Sequence, residues 1–198
     1  MKQFVVFLAA SALLISCQQP VQQEILKKEG VNETLETIFN RKSVRAYTTD
    51  KVSDEILHTL VKAGMSAPSS RDQRPWEFII VTDRAKLDAM GEALPTAKML
   101  KETQQAIIVC GDTNKSPNAW VHDCSAAAMN ILLAAESMGL GAVWTAAHPY
   151  PERMDIVRET LQLPEHIIPL NVIPLGYPAG DTKPKDKYAE EQIHRNGW

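Results

Sequence analysis

Two short runs concentrate positive charge: Arg41-Lys42-Ser43-Val44-Arg45 early in the chain and Lys183-Pro184-Lys185-Asp186-Lys187 near its end. Guanidinium and ammonium groups at this density suit an anionic group such as a phosphate, because charge-assisted hydrogen bonds are the strong ones. Between them lie two stretches with other talents. The loop Ala67-Pro68-Ser69-Ser70-Arg71-Asp72-Gln73-Arg74-Pro75-Trp76 exposes donors and acceptors beside an apolar run. Pro68 and Pro75 hold it extended, since each disfavours helix for the residue before it. Such a loop can hold a planar polar ligand, and it reads equally well as an ordinary connection. The other stretch is the strand end Trp144-Thr145-Ala146-Ala147. None of these supplies a nucleophile or an acid–base pair, so the pattern is that of a holder for a phosphate-bearing cofactor that does the chemistry itself.

Other chemistries lack their residues. There is no Gly-x-Ser-x-Gly elbow. Gly139-Leu140-Gly141 has no third glycine and precedes a strand, where a dinucleotide fingerprint requires a helix. The five histidines (His58, His122, His148, His166, His194) lack metal-ligand spacing, and no metal is expected. His122-Asp123-Cys124 are consecutive on a helix and point in different directions, so they read as local packing and polar contacts. His148, following the Gly141 strand, is a candidate proton donor. A formal net charge of −3 and the absence of long Lys/Arg runs argue against nucleic acid.

The N-terminus has a signal-peptide layout over residues 1–16: a positive start, then the apolar run Phe4 to Ile15, too short to span a bilayer comfortably. Leu14-Ile15-Ser16-Cys17 resembles a bacterial lipobox, which implies cleavage before Cys17 and lipid attachment to its sulfur; the alternative is an uncleaved buried helix. Residues 17–31 then form a tether, and 32–198 a single domain. The expected location is the cell envelope, exported and lipid-anchored on the periplasmic side, touching membrane only through Cys17. Of the other cysteines, Cys110 ends the apolar run Ala106-Ile107-Ile108-Val109 and reads as a buried inert thiol, while Cys124 lies in a helix; a disulfide between them is the alternative.

The elements that must position these residues follow from periodicity and caps. Asn32 caps a short helix with Leu35, Ile38 and Phe39 on its inner face. Ser53 opens a second helix, with Ile56, Leu57, Leu60 and Val61 inward and Gly64 closing it. Phe78 to Val81 reads as a buried strand. Asp83 starts a helix with Leu87, Met90 and Leu94 inward. Ala106 to Cys110 is a second buried strand, with Gly111-Asp112-Thr113-Asn114 turning away. The longest helix runs from Ala119 to Met138, rich in alanine and ended by Gly139. Gly141 to Thr145 is a strand, Pro151 begins a helix carrying Val157 and Leu161, and Ile167 to Leu175 is the last strand. The tail, 179–198, is expected to lie across a surface, a partner subunit's being one candidate.

The sequence resembles the nitroreductase family of FMN oxidoreductases over about residues 32 to 190. The likeness is carried by Arg41 to Tyr47, by Ala67 to Trp76, by Gly139-Leu140-Gly141-Ala142-Val143-Trp144, and by Gly176-Tyr177-Pro178 with Lys185-Asp186-Lys187. The resemblance implies an α+β fold with a central, mostly antiparallel sheet flanked by helices, and an intertwined homodimer with two FMN sites at its interface. It implies that Arg41 and Lys187 hold the FMN phosphate, with Lys185 and Lys42 beside them. Ser43 would bind the ribityl chain or phosphate, and Arg45 would lie at the pyrimidine edge near N1 and the C2 carbonyl. Pro68, Ser69, Ser70 and Asp72 would reach the flavin of the other subunit. Trp144, Thr145, Ala146 and Ala147 would pass under the ring, with a backbone N–H near Ala146 directed at N5. No side chain is implied as catalytic, because the chemistry belongs to flavin N5. The implied activity is ping-pong transfer from a reduced donor, NAD(P)H or another, to nitroaromatic or quinone acceptors. Alternatives are a lipid-anchored flavin- or ligand-binding protein without turnover, and a specialised reaction such as flavin cleavage or dehalogenation. Two positions depart from the family pattern of Asn and Gln: Asp72 cannot donate to flavin O4, and Arg74 either pairs with Asp72 or shapes the entrance for an acidic substrate.

Overall fold

The computed structural model describes residues 32–198; the expectations for residues 1–16, for 17–31 and for Cys17 lie outside the described residues. The described chain runs α1 (Glu33–Asn40), α2 (Asp54–Met65), β1 (Trp76–Val81), α3 (Arg84–Ala93), β2 (Gln105–Asp112), α4 (Trp120–Ser137), β3 (Gly141–Ala142), β4 (Thr145–Ala146), α5 (Pro151–Leu161) and β5 (Ile167–Gly176). Every residue of β2 is buried, as suits a strand with the apolar run Ala106 to Cys110 at its heart. It lies between β1 and β5, and β3 and β4 both pair with β5. Every pairing is antiparallel, with Ile108 opposite Ile79 on one side and Val172 on the other.

Side chains alternate across the sheet, and each face is covered by two helices. Ile107 and Val109 pack with Leu57 and Leu60 of α2 and with Cys124, Ala127 and Ile131 of α4. Ala106 and Ile108 face the other way, onto Leu87 and Met90 of α3 and Val157 of α5. The architecture is therefore α+β, a central antiparallel sheet flanked by helices. Local chemistry sets the helix ends as expected. The Ser53 hydroxyl accepts from Ile56 N, the Asp83 carboxylate accepts from Ala85 N at 2.8 Å, Pro151 stands in the first turn of α5, and Gly139, at φ +73°, stops α4.

Several expectations change on inspection. β1 starts at Trp76, two residues early, and its four middle residues are only half-buried, because it is an edge strand. Its Glu77 turns outward to Lys115 Nζ at 2.5 Å, which breaks the apolar run that was legible from Phe78 onward. Gly64 does not close α2; it lies within it, where a Cβ would come 3.1 Å from Ile131 of α4. Gly111 and Asp112 belong to β2 rather than to a turn. Gly141 to Thr145 splits into two short strands around Val143 and Trp144. Cys110 and Cys124 are free thiols; they belong to clusters on opposite faces of the sheet, and Cys124 Sγ donates to the Cys110 carbonyl at 3.4 Å. The supposed inner face of α1 is not buried in this chain: Phe39 is 70% exposed and Ile38 44%. The tail is also largely exposed, its terminal Trp198 stacked on His194.

Candidate anion-binding site

The first basic run is anchored at its centre by an apolar residue. Val44 is buried, and its N–H donates to the Ala142 carbonyl of β3 at 3.1 Å. Its carbonyl accepts from the Tyr47 hydroxyl at 2.7 Å. Burial raises the Tyr47 pKa, which keeps that hydroxyl a donor. With Val44 turned inward, its neighbours Ser43 and Arg45 are left exposed. The fit beneath Val44 depends on Gly141, where a Cβ would come within 2.6 Å of Val44 Cγ1.

The second basic run is delivered by the chain leaving β5. Thr48 N donates to the Tyr177 carbonyl and Ala179 N to the Ala46 carbonyl, both at 2.9 Å, and Tyr47 bridges Pro178. The result is a hollow of about 320 Å³ lined by Arg41, Lys42, Ser43, Arg45, Thr182, Lys183, Lys185 and Lys187. Lys42 is neutralised by Glu136 at 2.6 Å, and Lys183 approaches Asp181 at 3.7 Å. Among the described residues no ion pair involves Arg41, Arg45, Lys185 or Lys187. A wider hollow of about 620 Å³ shares Arg41, Lys185 and Lys187 and adds Ile38, Phe39, Pro184, Asp186 and Tyr188. Six expected residues are thus brought together, 41–45 against 185–187. Thr182 and Lys183 join them; Lys183 was visible as part of a basic run, whereas nothing local marks Thr182.

The remaining candidates line neither hollow. Thr145 is buried, and its hydroxyl is committed to the Val172 carbonyl at 2.7 Å. Ala147 N and His148 N both donate to Leu170 O, while the Ala146 carbonyl accepts from Arg153 at 3.4 Å. Trp144 is half-buried on the α2–α4 side of the sheet. The His148 ring stands edge-on to Trp120, 5.0 Å between centroids.

Pro68, Ser69, Ser70 and Asp72 sit on a loop of unusual backbone. Arg71, Asp72 and Arg74 all have φ near +50°, a left-handed conformation that non-glycine residues adopt at a cost. The loop is tied by its own side chains. Ser69 Oγ accepts from Arg74 N at 3.1 Å, and Arg74 grips Asp72 through two nitrogens, with Nε to Oδ1 at 2.7 Å. Hydrogen bonding from Arg74 holds the Asp72 carboxyl below its usual range. Of the two roles open to Arg74, pairing with Asp72 is the one the geometry adopts. The loop is also tied to α4, where Ser70 N donates to Asp123 Oδ1 at 3.1 Å. Among the described residues there is no cluster of three metal-ligating side chains, and no helix is long and apolar enough to cross a membrane.

A sheet of this order, carrying a cation-lined hollow between its first and last segments, finds counterparts among known proteins. The model of the nitroreductase family matches residues 38–120 and 99–177. A protein of Methanothermobacter thermautotrophicus named "Putative NADH dehydrogenase/NAD(P)H nitroreductase" is 44% identical over 168 residues, which is 84% of this chain and 88% of that one. A crystal structure of a protein with the same name from Parabacteroides distasonis superposes with a TM-score of 0.84 at 67% identity, over 85% of this chain and all of that one. The structure of an "FMN-dependent Nitroreductase" from Clostridium difficile gives a TM-score of 0.78 at 29% identity, over 83% of this chain and 99% of that one. The chain belongs to the nitroreductase family.

Proposed function

We propose that the protein is an FMN-dependent oxidoreductase that takes electrons from a reduced donor such as NAD(P)H and passes them, in ping-pong fashion, to nitroaromatic, quinone or similar acceptors. One observation carries this reading: two basic runs some 140 positions apart in sequence close around one hollow. The donor set suits a phosphate monoester, which carries a charge of about −1.5 to −2 near neutral pH. Arg41, Lys185 and Lys187 have charge to spare for it, and Ser43 offers a hydroxyl to a phosphate or ribityl oxygen. The relative named for FMN supports the same identity for the ligand.

When bound, FMN supplies the redox chemistry, accepting an electron pair from one partner and releasing it to the next. The chain's own residues bind and orient it. Arg41, Lys185 and Lys187 hold the phosphate, and Lys42, tied to Glu136, steadies the rim. Arg45 places positive charge where the ring becomes electron-rich. The backbone from Trp144 to Ala147 supports the ring.

The loop from Pro68 to Asp72 lies off the hollow, so in this proposal it serves the site of a second copy in a homodimer. The exposed apolar side chains of α1 and of the tail, Ile38, Phe39, Tyr188 and Ile193, are surface that such a dimer would cover. The N-terminal proposal is export and lipid attachment at Cys17, leaving the domain tethered to the envelope. Cys17→Ala should then release the protein from the membrane fraction and abolish labelling by a fatty-acid analogue.

The absorption spectrum of the purified protein tests the central claim. Flavin bands should appear after incubation with FMN, bleach on anaerobic addition of NAD(P)H and return on addition of a nitroaromatic or quinone. A protein that never takes up FMN refutes the assignment, and bound flavin that no donor bleaches assigns a binding protein instead.

A further inference from the structure

The geometry points to Asp123 as a positioning residue that sets the loop Ser69–Arg74 for its ligand, an inference that rests on the proposed role of that loop at the FMN site. Asp123 lies in the first turn of α4 and is 6% exposed. One of its oxygens accepts from the Ser70 backbone N–H at 3.1 Å. The other, Oδ2, is buried with no hydrogen-bond partner among the described residues. Burying a carboxylate with one oxygen unpartnered is unfavourable, so the residue is costly as mere core filling. Its visible work is done by Oδ1, and that work is on the loop.

The loop needs such a tie. Its three left-handed residues, Arg71, Asp72 and Arg74, resist the shape they hold. Its other fastenings are internal: Ser69 to Arg74, Arg74 to Asp72, and turn bonds from Asp72 N to Ser69 O and from Gln73 N to Ser70 O. These keep the loop's own shape but not its attitude to the body. The Ser70–Asp123 bond joins that shape to a long buried helix, at a residue that is itself one of the proposed contacts, between Ser69 and Asp72. The body of α4 is itself fixed, with Cys124, Ala127 and Ile131 completely buried. Asp123 therefore transmits the rigidity of the core to a strained, exposed loop.

Two substitutions separate this from a packing role. Asp123→Ala removes the acceptor. Asp123→Asn retains a carbonyl oxygen in the place of Oδ1 and changes the shape hardly at all. The first readout needs no cofactor: cleavage by trypsin after Arg71 in the FMN-free protein should quicken about tenfold in Asp123→Ala and stay near the unsubstituted rate in Asp123→Asn, as loss of one buried hydrogen bond to a charged group predicts. The second is FMN binding, which should weaken about tenfold in Asp123→Ala and recover in Asp123→Asn. Amide exchange on the unsubstituted protein reads the bond directly, with Ser70 protected at least about tenfold over a free loop amide. An unprotected Ser70 amide overturns the inference, as does equal cleavage in all three proteins. Failure of the unsubstituted protein to take up FMN refutes the proposed function alone, because the cleavage and exchange results still report on the tie. Faster cleavage of Asp123→Ala with undiminished FMN affinity overturns the positioning role while leaving the function standing.

Discussion

Replacing Gly141 by alanine tests whether the first basic run owes its place to the sheet. The new Cβ would meet Val44 at 2.6 Å from Cγ1, 2.8 Å from Cβ and 3.1 Å from Cγ2. A rotamer change cannot relieve the contact with Val44 Cβ, which is fixed to the backbone, so the segment itself must move. Ordinary contact begins at 3.4 Å, so the 2.8 Å approach to Val44 Cβ puts the displacement near 0.6 Å. Overpacking of this kind costs about 1–3 kcal/mol, and in a domain of this size each kcal/mol lowers the melting temperature by about 2–4 °C. The same movement carries Arg41 and Arg45 away from Lys185 and Lys187 across the hollow. Loss of one charge-assisted contact costs about 1.5–3 kcal/mol, so FMN should bind about tenfold to a hundredfold more weakly. Thermal melts of the FMN-free protein and fluorescence titration with FMN measure the two effects. Gly139→Ala is the control. It has open space around it but φ +73°, so it should lose about 1 kcal/mol of stability and none of its affinity. Equal losses of affinity in both variants, or none in Gly141→Ala, would refute the reasoning.

Three further outcomes are expected. Arg45→Ala should retain FMN yet lower its reduction potential by several tens of millivolts; one positive charge at about 4 Å and an effective dielectric near 20 is worth roughly 4 kcal/mol before desolvation, and about 30 mV corresponds to roughly 1.4 kcal/mol for two electrons. Potentiometric titration of both proteins checks this, and an unchanged potential removes Arg45 from the ring. Burial pushes the Cys110 and Cys124 thiols from 9.0 up to about 12. Between those values the unfolded chain sheds protons that the folded one keeps, so stability should be flat below pH 9 and fall above it, by about 1.4 kcal/mol per pH unit for each thiol. Urea unfolding across this range should show the decline, and Cys110→Ala with Cys124→Ala should lessen it, leaving above pH 10 the part due to the Tyr47 hydroxyl, which burial raises in the same way. Gly111→Ala sets a Cβ 2.3 Å from Trp120 Cε3, and should cost about 3 kcal/mol in the unsubstituted chain but little further when added to Trp120→Ala, which removes the clashing ring.

What the sequence made legible was mostly local. Ser53, Asp83, Pro151 and Gly139 mark helix ends through bonds or backbone angles within a few residues, and all four act where their types predict. Three other glycines misled or stayed silent for the opposite reason. Gly64, Gly111 and Gly141 make room for Ile131, Trp120 and Val44 respectively, and only Gly111 has its neighbour close in sequence. The apolar stripe of Leu35, Ile38 and Phe39 on α1 is plain in the sequence, but periodicity does not say whether it is covered, and in this chain it is exposed. Within the site, the basic runs announced themselves by composition. Asp123 did not, because its task is defined by an amide 53 positions earlier.

The cation-lined hollow also has a bearing on the far end of the chain. Arg41 and Arg45 line the narrower hollow with Lys185 and Lys187, while Asp186 lines only the wider one beside it, and like charges at such quarters repel. Residues 41–45 are pinned by Val44 to β3 and cannot retreat, so the outward pressure falls on the segment beyond Gly176. That segment is fastened to the body chiefly by backbone bonds around Tyr177 and Ala179. A bound dianion reverses the sign of the force, acting as a clasp on the C-terminus. Resistance to trypsin cleavage after Lys185 and Lys187 thereby becomes a gauge of cofactor occupancy.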